Sequence, residues 1–91
     1  EPVVLLGDFN CYIDSQPYRI LNESFTDAGA HKKERMGTAG GFRIKDERTG
    51  PIDYIFFSAA ALKPKGFSVL PYNNGKFYPS DHLPVKAVFQ F

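Results

Sequence analysis

The sequence predicts a small chain of the α/β (α+β) class, because strand-like and helix-like patterns alternate along its 91 residues. The runs Val3–Leu6 and Ile52–Ser58 consist mostly of apolar, β-branched or aromatic residues, which is typical of buried strands. Between them, residues 16–23 have the spacing of an amphipathic helix. At the end of the chain, residues 85–91 alternate as a half-buried strand does.

Composition limits the chain to one small domain with a modest core. Hydrophobic residues make up 43% of the sequence, and a chain of this size buries roughly 60 to 65% of its unfolded surface. A net charge of +1 does not by itself indicate a nucleic-acid partner. The single cysteine, Cys11, excludes an internal disulfide, and no segment reaches the roughly 18 apolar residues of a transmembrane helix.

The first strand is predicted to be central and buried on both faces, because Val3–Leu6 is apolar without alternation. Polar residues follow at once in Gly7-Asp8-Phe9-Asn10. In open α/β sheets, ligands bind beyond the carboxyl ends of the strands, so Asp8 and Asn10 are candidate site residues. A carboxylate and an amide two residues apart suit a metal-bound phosphate.

The helix is predicted over Gln16–Glu23, with Ser15 as its N-cap and Pro17 in its first turn. We interpret it as a helix that covers the sheet. The glycine-rich segment Thr26–Gly41 is predicted to be an exposed, mobile loop. Its basic cluster, His31–Arg35, is either a solvated charge run, which we prefer, or a receiver for a phosphate-rich ligand.

Asp53 is an anomaly in the aromatic strand, because it lies on the same face as Ile55 and Phe57. A buried carboxylate without a partner costs several kcal/mol, on the order of its desolvation penalty, so Asp53 should be paired. We predict that its partner is His82, since an imidazole beside a phosphoryl group is usually oriented by a carboxylate. The alternative is structural, with Asp53 capping a turn and His82 sealing the core.

The remaining elements are predicted to be a strand over Gly66–Tyr72, a turn at Asn73-Asn74-Gly75 and a final strand over Val85–Phe91. A loop, Tyr78–His82, precedes the last strand. The sequence shows no basic stripe interleaved with aromatic residues that would favour single-stranded nucleic acid.

Three motifs occur in order, each near a strand end: Gly7-Asp8-Phe9-Asn10, Ile52-Asp53-Tyr54-Ile55-Phe56 and Ser80-Asp81-His82-Leu83-Pro84-Val85. Together they resemble the endonuclease/exonuclease/phosphatase superfamily, the metal-dependent phosphoesterases related to deoxyribonuclease I. The resemblance covers the C-terminal half of the family's domain. It implies that residues 1–91 are a partial domain of a four-layered α/β sandwich, with one mostly antiparallel mixed sheet and one or two helices.

The resemblance also implies roles for five residues. In the family pattern, Asp53 orients His82, which donates to the scissile phosphate. Asp81 binds the metal together with a Glu upstream of this chain, Asp8 aligns or deprotonates the attacking water, and Asn10 holds the phosphate. Some members place a second metal at Asp8, Asn10 and His82, so one ion and two ions both remain open. The implied cofactor is Mg²⁺, with Mn²⁺ as the alternative.

The implied function is in-line attack of water on a phosphoester. The substrate classes are nucleic acid, inositol phosphate and phospholipid headgroup. The alternative is a non-catalytic fold fragment or binding module, because the family's metal-binding Glu and a catalytic His lie upstream of Asp8. Half of a sandwich would expose an apolar sheet face, so we expect self-association.

Overall fold

The computed structural model describes all 91 residues and has the predicted α+β class. Five strands and one helix follow one another in the order β1 (Val4–Asp8), α1 (Gln16–Ser24), β2 (Thr26–Asp27), β3 (Asp53–Phe57), β4 (Lys63–Val69) and β5 (Val85–Gln90). The helix has nine residues, and no helix of the chain is long and apolar enough to cross a membrane.

The strands form two antiparallel sheets, where a single sheet was expected. One has the order β1-β3-β2, and the other consists of β4 and β5. At Phe56 and Phe57, β1 pairs with one edge of β3 and β2 pairs with the other. Because both edges are occupied there, the β4–β5 pair packs against β3 through side chains. The rings of Phe57 and Phe89, for example, have their centroids 5.0 Å apart.

The central strand is β3, and the prediction that β1 is central and buried on both faces is wrong. β1 is an edge strand, and Leu6 on it is 68% exposed. Only Leu5 of this strand is half-buried, where it packs against the core. An apolar run indicates that a strand can be buried, but its position in the sheet depends on pairing with distant segments.

Two small cores lie on the two faces of β3, as its alternating side chains require. Tyr54 and Phe56 pack on one face with Cys11 and Tyr18. The other face belongs to a second cluster, whose buried members are Ala28, Ile55, Phe57, Leu62 and Phe67. Asp53 begins the strand on this second face, as predicted from the alternation.

Helix α1 covers the first core and ends one residue later than predicted. Tyr18 is buried, and Leu21 and Phe25 pack against the same cluster. Ser15 is the N-cap residue, but its side chain does not cap the helix. The Ser15 hydroxyl instead donates to the Tyr12 carbonyl at 2.6 Å, because that acceptor lies in the tight turn before the helix.

The interpretation of Thr26–Gly41 as an exposed, mobile loop is wrong for several of its residues. Thr26 and Asp27 form β2, and Asp27 is only 2% exposed. Arg35, from the predicted basic cluster, is bound to the Asp27 carboxylate through two hydrogen bonds of 2.6 and 3.1 Å. The rest of that cluster, residues 31–34, is exposed and therefore agrees with a solvated charge run.

The two C-terminal strands predicted from the sequence are present, but their first and last residues differ from the prediction. β4 begins and ends three residues earlier than expected, because it pairs with β5 from Lys63 to Val69. In β5, alternate residues Val85, Ala87 and Phe89 face inward and are half-buried. Phe91 was expected to continue this pattern, but it lies beyond the last strand residue and is 90% exposed.

Candidate active site

Pairing between β1 and β3 brings two carboxylates together at one end of the sheet. Asp8 is the last residue of β1, Asp53 is the first residue of β3, and the two are direct cross-strand partners. Directly opposite residues share a face, and like charges in such positions repel each other. A cationic group between them would relieve this repulsion.

The imidazole of His82, when protonated, is a cationic group beside these two carboxylates. Its Nδ1 lies 2.8 Å from Asp53 Oδ2, so the structure contains the contact predicted from the sequence. A carboxylate can only accept, so Nδ1 carries the proton and Nε2 is left for another partner. The hydrogen bond that His82 donates to Asp53 raises the pKa of His82 above its ordinary value of 6.5, against the lowering effect of burial, and the charges of Asp53, Asp8 and Asp81 raise it further.

Thr38 connects the strand residue Asp53 to the loop that carries His82, and the sequence analysis did not identify it. Its hydroxyl oxygen accepts the N–H groups of Ile52 (3.1 Å) and Asp53 (3.2 Å). Its carbonyl accepts the N–H of Leu83, the neighbour of His82, at 2.8 Å. Thr38 is fully buried, so these bonds are shielded from water and fix the start of β3 relative to the histidine loop.

The histidine loop is also fixed through the backbone of Asp81. The Asp81 carbonyl accepts from the Gly40 N–H at 3.0 Å and from the Arg48 guanidinium at 2.9 Å. The Ser80 hydroxyl accepts the His82 N–H at 3.1 Å. These bonds leave the Asp81 carboxylate exposed, with the Ser80 hydroxyl at 3.4 Å as its hydrogen-bond partner.

Asn10 lies in a tight turn directly after Asp8. Its φ of 51° is in the left-handed region, which asparagine tolerates better than most residues. Its N–H donates to Asp8 Oδ1 at 2.8 Å, which orients that carboxylate. Asn10 itself is exposed and can meet a ligand.

Asp8, Asp53 and His82 together form a donor set for a cation. One ligand atom from each lies within 4.8 Å of the others. The two carboxylates fit a divalent ion such as Mg²⁺ or Mn²⁺, because these ions favour oxygen ligands, and the imidazole can add a nitrogen ligand only when its Nε2 is unprotonated. Of the metal ligands expected from the sequence, Asp8 belongs to this cluster, Asn10 is hydrogen-bonded to Asp8, and Asp81 lies outside the cluster.

The cluster opens to solvent through a shallow groove. Asp53 and His82 line it together with Leu6 of β1 and with Leu83 and Pro84, which precede β5. The His82 side chain is 33% exposed and that of Asp53 is 14% exposed. A ligand can therefore reach the imidazole while the orienting carboxylate stays largely covered.

Comparison with known proteins points to one family. The model of the Endonuclease/Exonuclease/phosphatase family matches residues 1–82. The chain is similar to the CCR4-Not complex 3'-5'-exoribonuclease subunit Ccr4 of Saccharomyces cerevisiae, with 28% identity over an alignment 127 positions long, gaps included. It is also similar to the protein of the same name from Candida glabrata, with 25% identity over an alignment 122 positions long.

In both comparisons the alignment covers 99% of this chain but only 14% of the relative. The chain thus spans about one seventh of the length of the curated relatives that it matches. No solved structure matches it significantly.

Proposed function

The chain belongs to the endonuclease/exonuclease/phosphatase family, and from that premise we propose that it supplies the C-terminal part of a metal-dependent phosphoesterase site. The single observation that carries the proposal is the 2.8 Å contact between His82 and Asp53 beside Asp8. A cluster of this kind at a strand end has the residue types that phosphoryl transfer to water needs.

In the proposed reaction, His82 stabilises charge on the phosphoryl group. Asp53 holds Nδ1, so Nε2 points to a different partner, and the raised pKa favours the imidazolium form, in which Nε2 donates. An N–H donor near a nonbridging oxygen stabilises the negative charge that develops there. Asp53 thus acts through His82 as a positioning residue.

Asp8 and Asn10 act on the other side of the phosphate. The Asp8 carboxylate accepts a proton or a hydrogen bond from the attacking water, which then approaches phosphorus in line with the leaving oxygen. The Asn10 amide donates to a phosphoryl oxygen and holds the group in place. Their hydrogen-bonded turn supports this arrangement, because it fixes one residue relative to the other.

The cofactor in this proposal is Mg²⁺, with Mn²⁺ as the alternative. Asp8 would hold it with Asn10 and the neighbouring Asp53, or with Asn10 and a neutral His82 that then no longer donates to the phosphate, and Asp81 would serve a second position that needs further ligands. When bound, the ion supplies Lewis-acid stabilisation of the phosphoryl oxygens.

The proposed substrate is a nucleic acid, because the relatives named above are exoribonucleases. Inositol phosphates and phospholipid headgroups are the other phosphate esters that the assay below must include. A second candidate function is a binding module without catalysis. A module of this kind needs only the three donors that the chain itself supplies, with the remaining half of the Mg²⁺ coordination positions filled by water or ligand.

Self-association through the exposed first strand is a further part of the proposal. Strand β1 has a free edge, and Val4 and Leu6 on it are 39% and 68% exposed. Such an edge offers unpaired backbone groups beside apolar surface, which favours pairing with a second chain.

The experiment that tests the function measures Mg²⁺-dependent hydrolysis by the 91-residue chain and by the same domain extended upstream. We expect activity in the extended protein and a loss of about 10²- to 10⁴-fold in kcat for His82→Asn, the usual contribution of a catalytic acid or base. His31→Asn is the matched control, because His31 is exposed and does not belong to the cluster.

Equal activity of the two histidine variants would contradict the role of His82. Equal activity of the short and extended chains would show that no upstream residue is needed. No hydrolysis of any substrate class by either protein would favour the binding module.

A further inference from the structure

Two exposed segments far apart in the sequence form a small antiparallel ribbon next to the candidate site. We call residues 42–46 together with residues 73–78 the basic ribbon. Arg43 and Phe77 are bridge partners, and the Ile44 N–H donates to the Lys76 carbonyl at 3.0 Å. The Tyr78 N–H donates to the Phe42 carbonyl at 2.6 Å.

The basic ribbon carries three cations along one groove, and its single acid, Asp46, accepts the backbone N–H of Arg43 at 3.1 Å. Arg43, Lys45 and Lys76 line a groove whose other lining residues are Ile44, Gly75 and Phe77. None of the three cations has an ion-pair partner within 4.0 Å. Because the whole chain carries a net charge of only +1, this groove concentrates positive charge that the rest of the chain balances.

An aromatic ring lies among these charges. Phe77 is 47% exposed and lines a second groove on its other side, next to Asn74 and Tyr78. The turn before it is well ordered, since Asn74 Oδ1 accepts the N–H groups of Lys76 (3.1 Å) and Phe77 (2.9 Å). The backbone that carries the ring and the neighbouring cation is therefore fixed before any ligand arrives.

The basic ribbon is continuous with the histidine loop. The Arg48 guanidinium lies over the Tyr78 ring, 4.2 Å from its centroid, and donates to the carbonyls of Gly41 and Asp81, both at 2.9 Å. Arg48 thus joins the base of the ribbon to the residue before His82. An extended chain rises about 3.3 Å per residue, and residues 79–81 bend, so the three steps from Tyr78 to Asp81 span at most about 10 Å.

We propose that the basic ribbon binds the single-stranded nucleic acid whose phosphate is cleaved at His82. Arg43, Lys45 and Lys76 contact successive phosphates, and one base stacks on Phe77. A cationic groove with an exposed ring fits single-stranded nucleic acid, which offers both a phosphate chain and unstacked bases. A lipid headgroup would use the charges but not the ring. This inference rests on the proposed function and names its substrate class.

The test measures binding of a fluorescent, unstructured ten-nucleotide RNA to the 91-residue chain by anisotropy, in EDTA so that no cleavage occurs. The variant Arg43→Ala/Lys45→Ala/Lys76→Ala removes the three cations. We expect at least tenfold weaker binding at 100 mM salt. The slope of log affinity against log salt should fall by about 2, because each lost phosphate contact removes about 0.7 on single strands.

The matched control is Lys63→Ala/Lys65→Ala/Lys86→Ala, which removes three exposed cations from β4 and β5 and changes the net charge equally. It should bind within about twofold of the unmodified chain. Equal losses in the two triple variants would overturn the proposal, because binding would then depend on net charge alone.

The aromatic contact is tested separately. Phe77→Ala should weaken binding about five- to hundredfold, the usual effect of losing one stacked base, and Phe77→Tyr should retain it. Phe91→Ala, at a ring that is 90% exposed, is the control and should change nothing. Equal binding of a ten-base-pair duplex, or binding of phosphoinositide vesicles but not of RNA, would overturn the proposal.

Hydrolysis by the extended protein separates this proposal from the catalytic one. The triple ribbon variant should raise the KM of the extended protein for RNA at least tenfold. Hydrolysis that survives the triple ribbon variant with unchanged KM would reject the ribbon and keep the catalytic site. RNA binding that depends on the ribbon, with no hydrolysis by either the short or the extended protein, would keep the ribbon and reject the catalytic site.

Discussion

His82 has a charge state that depends on its neighbours, and this sets the pH behaviour of the site. Its hydrogen bond to Asp53 favours the imidazolium, and two further carboxylates act in the same direction. Since the pKa of His82 in the folded chain is raised above 6.5, the His82–Asp53 pair contributes its full stabilisation of the fold below pH 6.5. That stabilisation is lost as the pH rises through the folded pKa.

We predict that, in the metal-free chain, the His82 ring titrates above pH 6.5 when followed by proton NMR. Asp53→Asn removes the hydrogen bond and the nearest charge, so the midpoint should fall towards or below 6.5, where burial acts against the charged form. His31→Asn assigns the second histidine signal. An unchanged midpoint in Asp53→Asn would show that the contact does not control the charge.

At the level of single residues, the sequence predicted the pairing of Asp53, because a carboxylate on an inward strand position needs a partner. Thr38 could not be found in the same way. A buried threonine hydroxyl gives no sequence signal when its hydrogen-bond partners are backbone groups of Ile52 and Asp53, more than a dozen residues away. Its importance depends on tertiary structure alone.

At the scale of elements, a buried ion pair connects β2 to the segment that follows it. The Asp27 carboxylate accepts hydrogen bonds from Arg35, from the Gly29 N–H at 3.0 Å and from the Tyr18 hydroxyl at 2.8 Å. Burial, together with the hydrogen bond that the Tyr18 hydroxyl donates to Asp27, raises the pKa of Tyr18 well above its ordinary value. The Arg35 guanidinium also lies 4.9 Å from the centre of the Phe67 ring, so the pair touches both cores.

We predict that Arg35→Met lowers the free energy of unfolding by about 3 to 5 kcal/mol, because it leaves a buried carboxylate without its cation. Urea unfolding at pH 7 measures the change. Arg19→Met, on the exposed face of α1, is the matched control and should change stability by less than about 0.5 kcal/mol. If Arg35→Met does not fold, Arg35→Lys should fold with an intermediate loss in the free energy of unfolding, because lysine keeps the charge but not the bidentate contact with Asp27.

A result in which Arg35→Met and Arg19→Met cost the same would contradict the structural role of the pair. The sequence did not predict this role. Arg35 belongs to a run of polar and charged residues that is otherwise exposed, and only the pairing of β2 with β3 places Asp27 inside. The helix and the strand at 53–57 were predictable, because their apolar patterns are local.

At the scale of the whole molecule, the class of fold followed from the sequence, but the number of sheets did not. Periodicity indicates strands without saying which strands pair, and here β2, a strand of two residues, occupies the edge of β3. The basic ribbon was hidden for the same reason, because its cations and its aromatic ring come from segments about 30 residues apart.

We predict that the chain self-associates at micromolar concentration through β1, as measured by sedimentation velocity. Leu6→Lys should shift the population towards the monomer, because a lysine on an edge strand opposes pairing. Ile20→Lys, at a side chain of α1 that is 57% exposed, is the control. A monodisperse monomer for the unmodified chain would contradict this prediction.

The central claim is that Asp8, Asp53 and His82 form one cation-binding cluster, and a Mn²⁺ titration followed by proton NMR tests it most directly. Paramagnetic Mn²⁺ broadens signals close to its binding site. We expect the His82 ring signals to broaden at substoichiometric Mn²⁺, the His31 signals to persist, and excess Mg²⁺ to restore His82. Equal broadening of both histidines, or no recovery with Mg²⁺, would contradict the claim.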